Sequence, residues 1–273
     1  MTGHMTARSY LYVPGDQPRL LAGAAGRGAD TLIADLEDAV AVPNKGAARS
    51  AVASYLDTAT AWVRVNADTL AEDLAAIADR PGLAGVVVPK AEPAVLSEVD
   101  VLLGSREVPV LALVETARGL RHLHAVAESP RVVRLGLGEA DLAGELHLRP
   151  GPDREELWPI RSAVVVASAA AGLAPPVGPV HTAVRDLADL RRTTELLLRQ
   201  GFRARTAITP AQLATINAVF TPSAEEVEQA RATVALLSPG TGVAVDADGR
   251  MVDEAVVRSA REVLARSAGL QEP

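Results

Sequence analysis

Eight short apolar runs rich in β-branched residues recur along the chain, at 9–13, 31–36, 61–66, 85–90, 108–114, 132–137, 176–181 and 205–209. Segments of helical length separate them. Strands that alternate with helices pack as repeated βα units, so this rhythm predicts parallel strands covered by helices. Runs such as 110–114 are apolar at consecutive positions, as expected of strands buried on both faces. Eight such units fit an α/β fold of one kind, a closed (β/α)8 TIM barrel; an open doubly wound sheet is the alternative. The seventh run is the weakest, because Pro175, Pro176 and Pro179 surround Val177 and Val180 and proline cannot donate to a ladder.

Leu70, Leu74 and Ile77 recur at helical spacing within 69–79, and 157–171 is apolar nearly all round, so both segments are expected to cover the sheet. After the eighth unit the pattern changes. Residues 223–237 read as a helix, 243–252 as a hairpin turning near Asp246-Ala247-Asp248-Gly249, and 253–267 as a final helix. The expected division is a catalytic barrel at 8–222 and a helical and hairpin appendage at 223–273. The appendage is too short to fold alone and is expected to pack on the barrel or on a neighbouring subunit. Gly3-His4-Met5, ahead of a second plausible start, reads as a cloning remnant and is left out of the fold.

Composition removes several functional classes. The formal charge is −7, with no basic stripe for a phosphate backbone, so nucleic acid is not an expected partner. No apolar run reaches the roughly 18 to 20 residues of a spanning helix, and no basic-then-apolar leader opens the chain. A cytoplasmic protein without a membrane partner is expected. With no cysteine, a metal can be held only by oxygen or imidazole, and a thiolate nucleophile is excluded.

In a parallel barrel, function collects at the carboxyl ends of the strands. The polar residues there are Asp35, Glu37 and Asp38 after the second run, Arg64 and Asn66 after the third, Lys90 after the fourth, Glu115 after the fifth and Asp141 after the sixth. Glu115 and Asp141, from neighbouring strands, could converge on a hard divalent ion such as magnesium, which takes few carboxylates and keeps waters and substrate oxygens. Equally, Glu115 could cap a helix starting near Thr116, and Asp141 one starting at Leu142. Arg64 suits a carboxylate or a carbonyl that develops charge, or a plain salt bridge to Asp35 or Glu37. The acidic trio is denser than one cation requires, so some members are expected to pair with Arg64, Lys90 or Lys45, while Asp38 could be only a helix cap. Lys90 is a candidate for substrate phosphate or carboxylate.

Other signals are weak. His122 and His124 diverge on a helix and read as solvated; His147 and His181 are isolated. Gly136-Leu137-Gly138 lacks a third glycine and precedes Glu139, which argues against a dinucleotide site, and Gly201 reads as a helix stop.

The segment from Tyr12 to Val40, followed by Lys45 and Arg49, resembles the opening of the citrate lyase beta subunit family, within the HpcH/HpaI aldolase superfamily. The likeness continues through Val63-Arg64-Val65-Asn66, Val88-Pro89-Lys90, Val114 to Gly119, Gly138 to Leu142, Gly201-Phe202, Phe220 to Ser223 and Gly249 to Asp253, and covers roughly 8–266. The resemblance implies a homotrimer or hexamer of barrels that makes or breaks carbon-carbon bonds with Mg2+, as citramalyl-CoA and malyl-CoA lyases do. On matching positions it implies Glu115 and Asp141 as metal ligands, Arg64 on the oxygens of the keto-acid portion, and Asp253 as an acid or base reaching an adjacent protomer. The resulting catalytic candidates are Arg64, Asp253, Asp35 and Glu37, with Arg64, Lys90 and Asp38 for substrate binding. The expected reaction is that of a carbon-carbon lyase. A 3-hydroxy-3-carboxyacyl thioester yields a 2-oxo acid (pyruvate, glyoxylate or oxaloacetate) and an acetyl thioester carried by coenzyme A or an acyl carrier.

The chain departs from the family pattern at Gly201-Phe202-Arg203-Ala204-Arg205, at Ile208-Thr209-Pro210, where the family has histidine, and around Val177-Gly178-Pro179, where it commonly has aspartate. These changes bear on the thioester side of the substrate. Two alternatives follow from them: a metal-dependent 2-oxo acid aldolase independent of coenzyme A, and a weakly active subunit serving assembly or carrier-protein docking.

Overall fold

The computed structural model describes residues 6–237 and 242–268, so Gly3-His4-Met5 lie outside the described residues. The eight runs become strands β1 Ser9–Pro14, β2 Thr31–Asp35, β3 Ala61–Arg64, β4 Leu83–Val88, β5 Val110–Val114, β6 Val132–Leu137, β7 Ala174–Gly178 and β8 Ala204–Ala207. They hydrogen-bond in chain order as a closed barrel, and β8 returns to β1 with Ser9 opposite Arg205 and Tyr10 opposite Thr206. That closure rules out the open sheet.

Between the strands lie α1 Pro18–Ala24, α2 Lys45–Leu56, α3 Leu70–Ile77, α4 Pro93–Leu103, α5 Ala117–Arg121, α6 Leu123–Ala127, α7 Glu139–Glu145, α8 Trp158–Ala170 and α9 Leu187–Arg199; α10 Leu213–Phe220 follows β8. The continuous apolar strands are explained by burial on both faces. Tyr10, Ile33, Trp62, Val87, Leu111, Leu113 and Val177 fill the barrel, while Val63, Val86, Val88, Ala112 and Val114 are buried on its outer wall. Each such Val or Leu contributes about 1.5–3 kcal/mol when fully buried. Trp62 fits only because Gly85 stands opposite, where a Cβ would meet the indole ring at 2.7 Å.

β7 starts two residues earlier than its sequence suggests and skips register against β6 between Arg134 and Gly136. Two prolines leave that ladder short of donors, and a side chain makes up part of the loss. Arg134, fully buried on β6, donates its Nε to the Pro175 carbonyl at 2.6 Å and its Nη1 to Ala7 O and the Tyr10 hydroxyl. One buried guanidinium thus ties β6 to both β7 and β1. Pro179 ends the strand before the expected 181.

Two compact units are distinguished, one of Ala7–Asn217 and one that joins Thr6 to the described residues from Ala218 onward. In the second, α11 Ala224–Leu236 opens with a capping box, Ser223 Oγ accepting from Glu226 N–H and Glu226 from Ser223 N–H. β9 Ala244–Val245 and β10 Met251–Val252 pair antiparallel around a turn in which Asp246 accepts from Asp248 and Arg250 N–H, with Gly249 at φ +79°. α12 Glu254–Ala268 follows and packs on α11. Among the described residues, no helix is long and apolar enough to cross a membrane.

Candidate active site

The carboxyl ends of the strands surround a cavity of about 580 Å³, lined on one side by Tyr12, Asp35, Asp38, Arg64, Glu115 and Asp141. Strand register explains much of this grouping. β2 and β3 pair with Asp35 directly opposite Arg64, so two residues far apart in sequence end side by side. Asp35 is buried, and Arg64 engages it as a fork, Nε to Oδ1 at 2.7 Å and Nη2 to Oδ2 at 2.6 Å. Asp35 also accepts the N–H groups of Glu37 and Ala39, so its four acceptor directions are filled. The third nitrogen of Arg64, Nη1, lies 2.9 Å from Glu37 Oε2 and 3.3 Å from Asp38 Oδ2, and the guanidinium carbon stands 4.7 Å from the centre of the Tyr12 ring. Burial works against the guanidinium charge, but the bonded Asp35 and the nearby Glu37 more than offset it, and Arg64 is held firmly cationic.

Lys90 follows the end of β4 in the left-handed region, φ +48°. For a residue other than glycine that conformation costs about 1–2 kcal/mol. It is offset in part by a hydrogen bond from Lys90 N–H to Glu115 Oε1 at 2.8 Å, worth about 0.5–1.5 kcal/mol. The ammonium of Lys90 reaches Glu37 Oε1 at 2.8 Å. Glu37 therefore bridges Arg64 and Lys90, and neither Glu37 nor Lys90 is among the residues lining the cavity. Burial pushes the Glu37 carboxyl up against the pull of these two cations. Of the expected pairings for the acidic trio, the one with Lys45 does not form: its ammonium instead takes the carbonyls of Leu36 and Glu37, both at 2.6 Å, and pins the loop after β2.

Glu115 and Asp141 face the same cavity, and their charges are coupled. Neither is a helix cap. α5 is capped by Thr116, whose Oγ1 accepts from Gly119 N–H, and α7 begins at Glu139 behind Gly138, three residues before the expected start. Burial, with the charges of Glu37 and Asp141, pushes the Glu115 carboxyl up to about 8 despite the Lys90 N–H. Gly138 makes room for that carboxyl: a Cβ there would come within 2.5 Å of Glu115 Oε2. Among the described residues, no three His, Asp or Glu side chains form a ready metal cage. Two carboxylates facing a solvent cavity suit a hard cation that retains waters.

The other side of the mouth is built differently. It is lined by Leu157, Val177, Gly178, Pro179, Val180, Thr182, Thr206, Ile208 and Arg154. Arg205, one of the departures from the family pattern, is not among the lining residues. It is fully buried, donating to Pro179 O, Leu190 O and the hydroxyls of Thr193 and Thr194, and burial pulls its value down to about 9. His181, isolated in the sequence, is buried 3.9 Å from Asp189.

Sequence reasoning missed Tyr12, although alternation along β1 places it two residues after inward-facing Tyr10. It also missed the role of Glu139, whose charge is consumed by buried Arg161 through bonds of 2.6 and 3.0 Å. No local signal announces that pair, since its members are 22 residues apart. Asp253 belongs to the second unit, where its Oδ1 accepts the N–H groups of Ala255 and Val256 at 3.0 Å and caps α12.

A closed barrel whose charged groups gather in a concave mouth at the carboxyl ends of its strands defines a (β/α)8 protein of the enzyme-bearing kind. The model of the HpcH/HpaI aldolase/citrate lyase family matches residues 8–210, and the chain belongs to that family. It is 38% identical over 282 residues to a protein named (3S)-malyl-CoA thioesterase from Cereibacter sphaeroides, covering 96% of this chain and 95% of that one. It is 29% identical to the citrate lyase subunit beta of Leuconostoc mesenteroides subsp. cremoris, with 97% and 94% covered. The crystal structure of CitE from Mycobacterium tuberculosis in complex with magnesium, acetoacetate and coenzyme A matches with a TM-score of 0.82 at 29% identity, covering 97% of this chain and 99% of that one.

Proposed function

We propose that the protein is a Mg2+-dependent carbon-carbon lyase acting on a 3-hydroxy-3-carboxyacyl thioester of the malyl-CoA or citramalyl-CoA type. The observation that carries this reading is the presence of Glu115 and Asp141 on the same cavity wall system as Arg64. The buried Glu115 carboxyl makes ionisation costly unless a cation compensates it, and an all-oxygen donor pair selects a hard one. Glu115 and Asp141 would hold Mg2+, which when bound acts as a Lewis acid on a chelating hydroxy acid.

The residues of the chain divide the remaining work. Arg64, fixed by Asp35 and Glu37 at the cavity wall, is assigned to the oxygens of the oxo-acid portion; a preorganised donor of this kind is typically worth about 3 to 4 kcal/mol. Asp35 and Glu37 are thereby assigned to positioning rather than to proton transfer. In the cleavage direction the carbinol oxygen loses its proton and the carbon-carbon bond breaks. Its electron pair passes to the carbon next to the thioester, which takes up a proton. Asp253 of a neighbouring copy is assigned that proton transfer by the family resemblance, with the protein working in the cytoplasm as a homotrimer or hexamer.

A second reading, hydrolysis of the thioester to a free hydroxy diacid and thiol, is favoured by the name of the Cereibacter relative. Incubation with malyl-CoA and citramalyl-CoA separates the two. Glyoxylate or pyruvate appearing with acetyl-CoA supports the lyase; malate or citramalate appearing with free thiol replaces it. Mixing inactive Arg64→Ala and Asp253→Asn chains restores part of the activity if sites are shared between copies, and restores none if Asp253 acts elsewhere.

A further inference from the structure

Lys90 combines a left-handed backbone, a main-chain N–H bound to Glu115 and an ammonium bound to Glu37. The strand ladder holds on either side of it: Val88 pairs with Ala112, and Ala91 N–H donates to Leu113 O at 3.0 Å. The chain therefore leaves the register for only a residue or two, and the excursion aims one N–H at a carboxylate of the next strand. We infer that Lys90 is a positioning residue that acts through its backbone, fixing Oε1 of Glu115 so that Oε2, against Gly138, is the oxygen offered to a divalent cation. This rests on the reading of Glu115 as a metal ligand. Outer groups that orient a ligand commonly matter to affinity nearly as much as the ligand itself.

The contacts fit this role better than a role for the Lys90 charge. The ammonium is spent on Glu37, which is itself 2.9 Å from Arg64, and Lys90 is not among the residues lining the cavity. Gly138 leaves room for the second oxygen, since a Cβ there would stand 2.5 Å from it. The donor after β4 thus meets one oxygen of Glu115, and the bare backbone after β6 leaves space beside the other.

The test is a series at one position in the full-length protein, with Mn2+ as an EPR-visible probe in place of Mg2+, and with melting and circular dichroism run alongside. Left-handed backbone is tolerated by Gly and Asn, less by Ala and least by Val. All four substitutions remove the ammonium equally. Lys90→Gly and Lys90→Asn should keep Mn2+ affinity within about threefold of the parent, Lys90→Ala should weaken it further, and Lys90→Val at least tenfold. An equal loss in all four overturns the backbone role and assigns the effect to the charge; no loss in any overturns it as well. If Lys90→Val does not fold, the gap between Gly or Asn and Ala decides. Glu115→Ala is the control: unchanged Mn2+ affinity there defeats the ligand reading itself, whereas loss there beside a flat Lys90 series defeats only the positioning role.

Discussion

The β2–β6 side of the mouth and the β7–β8 side are built on opposite plans. On the first, Asp35, Asp38, Arg64 and Glu115 lie at the cavity wall and, with Glu37 and Lys90 outside the lining, hold one another in place: Arg64 on Asp35, Glu37 and Asp38, Lys90 on Glu37 and Glu115. On the second, one guanidinium, Arg205, is buried among neutral oxygens, and the wall, Arg154 apart, is apolar side chains, backbone and hydroxyls. A wall of fixed charges suits the step in which charge moves; a neutral wall suits recognition of a bulky, uncharged arm. On the proposed function, the contrast separates chemistry from selectivity within one cavity, and the departures expected at 177–179, 201–205 and 208–210 fall on the selectivity side.

The sharpest way to break that division is to remove a carboxylate from the charged side. Glu115→Ala or Asp141→Ala should lower metal-dependent turnover by at least about a thousandfold, beyond what one lost electrostatic contact typically costs, while circular dichroism stays that of the parent. Chelation of Mg2+ from the parent should match the variants. Turnover within tenfold of the parent in either variant would show that the chemistry is not seated there.

Next in size is a stability effect. Arg64→Ala strands a buried carboxylate, Asp35, that is only 1% exposed and loses both arms of its fork. Breaking a buried pair from one side costs about 3–5 kcal/mol, so urea unfolding should show a loss of that order. Arg205→Met, on the other side, leaves no partnered carboxylate behind and should cost clearly less. Equal losses would mean that the two walls are held by the same kind of interaction after all.

The legibility of the molecule follows the same boundary. Eight apolar runs and the helices between them gave the barrel to within two residues at most strand ends, because burial on both faces writes itself into consecutive positions. β7 was the exception, since its support comes from Arg134, a residue some 40 positions away whose role no local pattern can announce. In the site, strand-end polar residues could be named one by one, but not whether each faces the cavity or a neighbour. Glu37 reads as catalytic and Lys90 as a group for substrate, and in the structure their contacts are mainly with each other and with Arg64 and Glu115. The cap readings for Glu115 and Asp141 failed because Thr116 and Gly138 start those helices instead.

A pH effect should come from the neutral side. Burial and the neighbouring Arg205 lower the value of His181 below its ordinary 6.5, with Asp189 opposing and Arg154 reinforcing the shift. The folded state therefore resists a proton that the unfolded chain accepts. Stability contributed by neutral His181 is complete above about pH 6.5, the unfolded chain's ordinary value, and falls as pH drops below it. His181→Gln should flatten that part of the urea midpoint against pH. A slope unchanged in the variant would move the cause to the carboxylates of the charged side.

The smallest effect sharpens the comparison most finely. Thr206 is one of the few polar side chains on the neutral wall, and its hydroxyl already donates to Gly178 O at 3.1 Å. Thr206→Val keeps the shape and removes one neutral hydrogen bond, worth about 0.5–1.5 kcal/mol. If this wall only recognises the thioester arm, KM for the thioester should rise by less than about tenfold. The turnover number and the affinity for Mg2+ with pyruvate or glyoxylate should stay put. A fall in turnover at unchanged KM would instead place Thr206 beside the reacting carbons. The β7–β8 wall would then have to supply part of the chemistry assigned to the carboxylates across the cavity.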